Sequence, residues 1–175
     1  SVYLFSVTPI PDSQDVYTYG LDISDKRNTE KELHLSSQIF ETTIEGIIVT
    51  DKNGTILSVN PACEKITEYD KEELIGQNPR ILKSTRHEAN FYKELWDNLI
   101  NKGHWSGEIW NRRKNGETYP QWSSINAIKD DIGQVQNYVA VFTDITDIKI
   151  KEAEIEYQAF HDPLTGLPNR NLMND

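Results

Sequence analysis

The sequence predicts an α+β domain, a five-stranded antiparallel sheet with helices on one face and connector helices at both ends. Two observations predict it. Two β-rich runs with a turn between them precede a stretch in which apolar residues recur at helical spacing. Three further β-rich runs follow that stretch, separated by glycine-containing turns. This order of elements is typical of a sheet covered on one face by helices.

Local patterns place each element. Asn53-Gly54, Gly116 and Gly133 mark the turns between strands, and Pro61 suits the first turn of a helix. The predicted strands are 46–51, 55–60, 105–113, 117–129 and 134–143. The predicted helices are 61–67, short turns within 70–83, and 87–100, whose apolar stripe is Phe91, Leu95, Trp96, Leu99 and Ile100.

Charge and cysteine content narrow the possible partners and the compartment. The net charge of −10 argues against nucleic acid or an anionic membrane as the main partner, because both require a basic surface. Cys63 is the single cysteine, so no internal disulfide can form, and we expect a reducing, cytoplasmic location. The chain starts without Met and without a secretory signal, so we expect a part of a longer protein.

One strand-to-helix pattern occurs twice. Residues 16–25 and 138–147 both run from a β-rich segment into Asp-Ile-Ser/Thr-Asp, and residues typical of helices follow each. Ser24 and Thr146 are the predicted N-caps of those helices. The repeat predicts that residues 1–25 end one module and that a whole second copy follows.

Spaced motifs of the second copy resemble the PAS domain with its C-terminal PAC motif. The motifs are Glu45-Gly-Ile-Ile-Val-Thr-Asp51, Asn60-Pro-Ala62, Glu73-Leu-Ile-Gly76, Asn111-Arg-Arg-Lys-Asn-Gly116 and Asp144-Ile-Thr146. They occur in the right order over residues 38–147. The resemblance implies the PAS fold and a sensory, non-enzymatic role in bacterial signalling.

The end of the chain resembles another family. His161-Asp-Pro-Leu-Thr-Gly-Leu-Pro-Asn-Arg170 is similar to the entry motif of GGDEF domains, which implies a full-length diguanylate cyclase that makes cyclic di-GMP from GTP. The cyclase's own site residues are not in this chain. The predicted organisation is the end of a preceding PAS domain (1–25), a connector helix (26–44), the sensor domain (38–147), a connector helix (148–160) and the start of a GGDEF domain (161–175).

Two amides are candidates for a binding site inside the domain. If Lys114-Asn115-Gly116 forms a three-residue loop with a left-handed glycine, Asn111 and Gln121 share the inward face; a two-residue turn would separate them. We expect the three-residue loop, with Ile109, Asn111, Tyr119, Gln121, Ser123 and Ile125 pointing inward. Amides offer both donors and acceptors, which suits the edge of an isoalloxazine ring. The alternative is that they bond water or backbone.

A resemblance sharpens the cofactor prediction. The stretch from Glu94 to Tyr119 is similar to the FAD-binding PAS domains of the nitrogen-fixation redox regulator and the aerotaxis receptor, and residues 76–83 resemble the flavin segment of LOV domains. These resemblances imply an FAD site made of Trp96, Asn111, Gln121, Asn78 and Arg80, with no metal. Pro79 stands where LOV domains have the photoactive cysteine, and Phe142 stands where they have a glutamine, so LOV adduct chemistry is not expected.

Other interpretations stay open. Haem is a second cofactor candidate, with His87 or His104 as the ligand, although both histidines are expected at the surface. The domain could instead bind a small metabolite, or hold no cofactor and serve only for dimerisation and signal relay. Cys63 is expected in the core, and the basic residues Arg112, Arg113 and Lys114 are expected to be solvated.

The outer face of the sheet is a candidate dimer interface. Trp110, Trp122, Val139 and Val141 are predicted there, and an apolar face of this kind should be covered. The candidate covers are the first connector helix, through Phe40 and Ile44, or a second subunit. The sequence therefore predicts a homodimer through the outer sheet face and the connector helices, joined in the same chain to the downstream GGDEF domain.

Overall fold

A computed structural model describes residues 3–9, 11, 16–22, 24–161 and 169. The chain divides into two units, 1–42 and 43–175. In the first unit, β1 (Tyr3–Pro9) pairs antiparallel with β2 (Val16–Asp22), and α1 (Ser24–Thr42) follows without burying any of its residues. That residues 1–25 end a preceding PAS domain stays a prediction.

The second unit has the predicted α+β fold, which the structure confirms. Its strands are β3 (Gly46–Asp51), β4 (Ile56–Val59), β5 (His104–Arg112), β6 (Thr118–Lys129) and β7 (Val135–Asp144). Its helices are α2 (Pro61–Thr67), α3 (Lys71–Leu74), a 3-10 helix (Pro79–Leu82), α4 (Ala89–Lys102) and α5 (Thr146–Phe160). The sheet order is β4-β3-β7-β6-β5, so the last strand in sequence, β7, lies at the centre of the sheet. All neighbouring strands pair antiparallel.

A buried asparagine joins α2 to the sheet. The side-chain oxygen of Asn60 accepts hydrogen bonds from the backbone N–H of Cys63 (3.0 Å) and of Ile47 (2.8 Å). Its Nδ2 donates to the carbonyl of Glu45 (2.9 Å). One fully buried amide therefore caps α2 and fixes that helix against β3, with its hydrogen-bonding capacity used in place.

The core on this side depends on a close approach between Gly46 and Phe142. The two residues pair across β3 and β7, and a Cβ on Gly46 would lie 2.3 Å from the Phe142 ring. Phe142 is 2% exposed and packs with Ile48, Ile56, Val59, Cys63, Leu74 and Leu82. Cys63 is fully buried in this cluster, which confirms that it is a core residue, and burial raises the pKa of its thiol to about 12.

Some local predictions were wrong. Helix α4 begins two residues later than predicted, and Ile100 points to solvent instead of joining the buried stripe with Leu95 and Leu99. Ile44 lies beyond the end of α1 and is 91% exposed. Apolar spacing alone did not show which of these side chains has another element to pack against.

The predicted N-caps also need correction. Ser24 and Thr146 are the first residues of α1 and α5. In each helix, the carboxylate two residues earlier accepts a hydrogen bond from the N–H of this first residue. Asp22 accepts from the Ser24 N–H, and Asp144 accepts from the Thr146 N–H, both at 2.9 Å. The two junctions thus share one local geometry, as the sequence repeat predicted, although another side chain provides the acceptor.

Most of the segment predicted to begin a GGDEF domain, 161–175, lies outside the described residues, of which it contributes only His161 and Asn169. Among the helices that the structure describes, none combines the length and the apolar character needed to cross a membrane.

Candidate functional site

A cavity of about 460 Å³ lies in the second unit, between the inner face of the sheet, the 3-10 helix and α4, and is partly open to solvent. This volume is within the usual range for small-molecule sites. Its lining contains all five residues predicted to bind a cofactor: Asn78, Arg80, Trp96, Asn111 and Gln121. The remaining wall is largely apolar and includes Ile48, Leu82, Leu95, Leu99, Ile109, Ile125, Ala140 and Phe142.

The β5–β6 turn places the two amides on one face. Arg113 N–H donates to the Glu117 carbonyl (2.9 Å), so residues 114–116 form a three-residue loop. Gly116 has a φ of +95°, a conformation that favours glycine. In the resulting register Ile109 pairs with Gln121 and Asn111 pairs with Tyr119. The predicted loop and the shared inward face of Asn111 and Gln121 are confirmed.

The two amides differ in their hydrogen bonding. Gln121 accepts from the Tyr119 hydroxyl (3.0 Å) and donates to the Ser123 hydroxyl (2.7 Å), so one row of side chains on β6 holds it. Asn111 is buried at the cavity wall, and within the described residues its amide makes no hydrogen bond. Both amide atoms of Asn111 remain accessible at the cavity surface, so they are available to hydrogen-bond to a ligand.

Asn78 and Arg80 lie on the 3-10 helix side of the cavity. Asn78 donates to the Gly54 carbonyl (3.0 Å) and accepts from the backbone N–H (3.1 Å) and Nε (3.0 Å) of Arg80. Its amide is therefore used to fix the 3-10 helix and to orient Arg80. Arg80 and its neighbour Lys83 are exposed cations that make no ion pair with any described residue.

Helix α4 contributes aromatic residues to the cavity. Trp96 is 42% exposed and meets the Tyr138 ring edge-on, with centroids 5.7 Å apart. Tyr92, which the sequence reasoning missed, lines the cavity one turn earlier on the helix, and the Lys83 ammonium lies 4.1 Å from its ring centroid. Since Tyr92 sits four residues before Trp96, helical spacing from a predicted site residue would have found it.

The residues considered for other chemistry do not face the cavity. His87 is half-buried and stacked on Phe91, and its Nε2 accepts a hydrogen bond from the Trp110 N–H (2.8 Å). Burial lowers the pKa of His87, which favours the neutral ring needed for that bond. The cavity lining includes none of His87, His104 and Cys63. In the part of the chain that the structure describes, no cluster of side chains is arranged to hold a metal ion.

Arg113 is a correction to the sequence prediction. It was expected to be solvated, but its side chain is only 12% exposed and its guanidinium bonds to Asp144 and to the Ile66 carbonyl. The guanidinium also lies 4.0 Å from the centroid of the Tyr119 ring. The reason is strand parity: Arg113 follows Ile109 and Asn111 on the inward side of the hairpin. Lys114 is also paired, with Glu73 at 2.7 Å.

These contacts form a continuous path from the cavity to α5. Gln121 bonds to Tyr119, the Tyr119 ring packs on Arg113, and Arg113 bonds to Asp144. Asp144 in turn accepts from the N–H (2.9 Å) and hydroxyl (2.6 Å) of Thr146, the first residue of α5. Partial burial acts to raise the pKa of Asp144, but the hydrogen bonds from Arg113 and Thr146 outweigh it and lower that pKa.

The comparisons with known proteins agree with this geometry. The family model of the PAS domain matches residues 44–147. The chain is 31% identical over 112 residues to a nitrogen fixation regulatory protein of Klebsiella oxytoca, which covers 62% of this chain and 23% of that protein. It is 29% identical over 113 residues to the aerotaxis receptor of Escherichia coli strain K12, which covers 64% of this chain and 22% of the receptor. The chain thus spans about a quarter of the length of these relatives.

A solved structure agrees as well. The PAS domain of a protein from Colwellia psychrerythraea superimposes with a TM-score of 0.62 at 28% sequence identity, covering 66% of this chain and 98% of that domain. The cavity, whose lining runs from Ile48 to Phe142, lies within the residues that the PAS family model matches.

The Arg113–Asp144 pair predicts a pH-dependent stability. Replacing Asp144→Asn should lower the free energy of unfolding at pH 7 by about 1–3 kcal/mol, because it removes a charge-assisted bond and leaves Arg113 unpaired. The folded-state pKa of Asp144 is lowered, so its stabilisation is present above the unfolded pKa near 3.8 and is lost as pH falls through the folded value. Urea unfolding from pH 7 to pH 3 measures both.

Glu117→Gln is the matched control, because Glu117 also pairs with Arg113 (3.4 Å) but is exposed. Its loss should cost less than about 1 kcal/mol. Equal losses for the two variants, or an Asp144→Asn difference that does not shrink at low pH, would contradict the assignment.

Proposed function

Because the chain belongs to the PAS domain family, we propose that it is a cytoplasmic sensor module that binds flavin, as FAD, and regulates an output domain through α5. The observation that carries the proposal is the Asn111 amide, which has no hydrogen-bond partner among the described residues and lies in the wall of a partly open, mostly apolar cavity. A ligand that offers both a hydrogen-bond donor and an acceptor at this wall would pair with the Asn111 amide.

The cavity residues fit a flavin. Asn111 and Gln121, diagonal neighbours on the inner face of β5 and β6, suit the carbonyl and N–H edge of the ring. Arg80, oriented by Asn78, and Lys83 suit the phosphates, and Trp96 offers an aromatic face. The resemblance to FAD-binding PAS domains supports the same residues. When bound, a flavin supplies reversible reduction coupled to protonation at its ring nitrogen.

The proposed signal route uses the path from Gln121 to α5. A change in the hydrogen-bonding edge presented to Gln121 would favour a different orientation of its amide, which now accepts from Tyr119 and donates to Ser123. A turned amide breaks one or both bonds, and Tyr119 packs directly on the Arg113–Asp144 pair. The arrangement at the start of α5 therefore becomes dependent on the state of the cavity.

We also propose that the output is a diguanylate cyclase in the same chain. The similarity of residues 161–170 to the GGDEF entry motif supports this, and α5 leads directly to that segment. A sensor that acts only as a spacer or dimer-forming module, or one that takes a small metabolite, is the alternative. The bonds that Gln121 already makes to Tyr119 and Ser123 favour the cofactor-free alternative.

Flavin binding is tested by absorption. The purified full-length protein, supplied with FAD and then freed of unbound FAD by gel filtration, should show the visible bands of oxidised flavin. Asn111→Ala or Trp96→Ala should lower its FAD affinity about tenfold or more. Asn126→Ala is the control, because Asn126 is an exposed asparagine on β6 outside the cavity lining. Absence of flavin bands in the wild type, or unchanged FAD affinity in both cavity variants, would contradict the flavin proposal.

Signal transmission is tested in the full-length protein. Cyclic di-GMP production, measured with flavin oxidised and then reduced, should differ in the wild type. In Asp144→Asn the difference should shrink severalfold, because the path to Thr146 is broken, whereas Glu117→Gln should keep it. A response that survives Asp144→Asn in full rules out this route, and absence of any cyclic di-GMP rules out the cyclase output.

Dimerisation through the outer sheet face is a separate proposal. Ile47, Val49, Val139 and Val141 pair across β3 and β7 with side chains on that face, and Trp122, on the outer face of β6, is 53% exposed. Apolar surface of this kind is typical of a face that a partner covers, and the proposed occupant is a second copy of the chain.

Light scattering after size exclusion tests the dimer. The wild type should be dimeric, and Trp122→Glu should be mainly monomeric because it places a charge in the interface. Ile132→Glu, a change in an exposed residue of the β6–β7 turn, should leave the dimer intact. A monomeric wild type, or a Trp122→Glu variant as dimeric as the wild type, is the contrary result.

A further inference from the structure

The Tyr92 hydroxyl is the feature that neither the fold nor the proposed contacts explain. Tyr92 is on the first turn of α4 and lines the cavity. Its ring is held on several sides, by Phe91 (centroids 5.2 Å apart), His87 (6.1 Å) and the Lys83 ammonium (4.1 Å). The side chain is therefore fixed in one direction by packing.

The hydroxyl oxygen of Tyr92 is buried and makes no hydrogen bond. It is the one buried side-chain nitrogen or oxygen in this condition among the residues that the structure describes. Other buried polar side chains of the domain have partners: Tyr119 donates to Gln121, Gln121 donates to Ser123, and Asn60 makes three hydrogen bonds. A buried donor without an acceptor costs free energy, so a partner is expected from outside the chain.

The charge around the cavity indicates what kind of partner. The whole chain has 28 acidic and 18 basic residues, yet no aspartate or glutamate lines the cavity. Its charged lining residues are Arg80 and Lys83, and neither forms an ion pair within the described segments. A positive rim in an acidic protein favours a ligand with a negatively charged group.

We propose that Tyr92 is a ligand-binding residue whose hydroxyl donates a hydrogen bond to an acceptor oxygen of an anionic ligand, beside Lys83. This rests on the proposed function, in which that ligand is FAD, and adds to it a contact on α4. Burial raises the pKa of Tyr92, so the phenol stays protonated and acts as a donor at neutral pH.

A ligand-binding role and a structural role predict opposite signs for removal of the hydroxyl. In the unliganded protein, Tyr92→Phe removes an unpaired buried oxygen, so the melting temperature should stay the same or rise by a few degrees. Tyr119→Phe is the matched control, because it removes a hydroxyl that bonds to Gln121 (3.0 Å), and it should lower the melting temperature. With FAD, Tyr92→Phe should weaken binding about tenfold.

The experiment is thermal unfolding of both unliganded variants, followed by titration of the full-length wild type and Tyr92→Phe with FAD. A fall in the melting temperature of Tyr92→Phe as large as that of Tyr119→Phe would overturn the inference, because the hydroxyl would then have a partner in the free protein. Equal FAD dissociation constants for wild type and Tyr92→Phe would also overturn it.

Failure of the proposed function has a different signature. If the wild type binds no FAD, small molecules released from denatured wild type and Tyr92→Phe are compared by mass spectrometry. An anionic compound retained by the wild type and depleted from Tyr92→Phe supports the role of Tyr92 with another ligand. Equal retention, or no compound in either protein, overturns it.

Discussion

The register of the β5–β6 hairpin is the constraint on which the rest of the site depends. A three-residue loop closed by Gly116 puts alternate residues of β5 and of the turn on the inward side. Asn111 therefore reaches the cavity, and Arg113 reaches Asp144 at the start of α5. A loop one residue shorter would reverse this alternation and remove the binding amide and the anchor of the helix together.

The parts of the structure that could be predicted were those encoded locally. Turn residues and apolar periodicity placed the strands and helices to within a few residues, and turn chemistry placed Asn111 and Gln121 on one face. The burial of Arg113 was missed because its partners, Ile66 and Asp144, are distant in sequence. Helical spacing from Trp96 would have placed Tyr92 at the cavity, but the absence of a hydrogen-bond partner for its hydroxyl is visible only after the packing around it is known.

The net charge of the whole chain and the charge at the cavity have opposite signs. The acidic composition predicts that polyanions are not the main partners, since a surface of that charge repels them. The cavity nevertheless has a cationic rim from Arg80 and Lys83, because two residues suffice where no carboxylate lies near. A small anion that enters a protected cleft meets this local field more than the field of the whole chain.

The two junctions in which an aspartate accepts from the N–H two residues later, Asp22 with Ser24 and Asp144 with Thr146, have a mechanical consequence. Each clamp sets the residue at which its helix starts, and so sets the angular phase of every later side chain on that helix. An α-helix advances about 100° per residue. Insertion of one residue just past either clamp would turn the later side chains of that helix by this angle, so the length of each helix is free to change only in steps that restore their original facing.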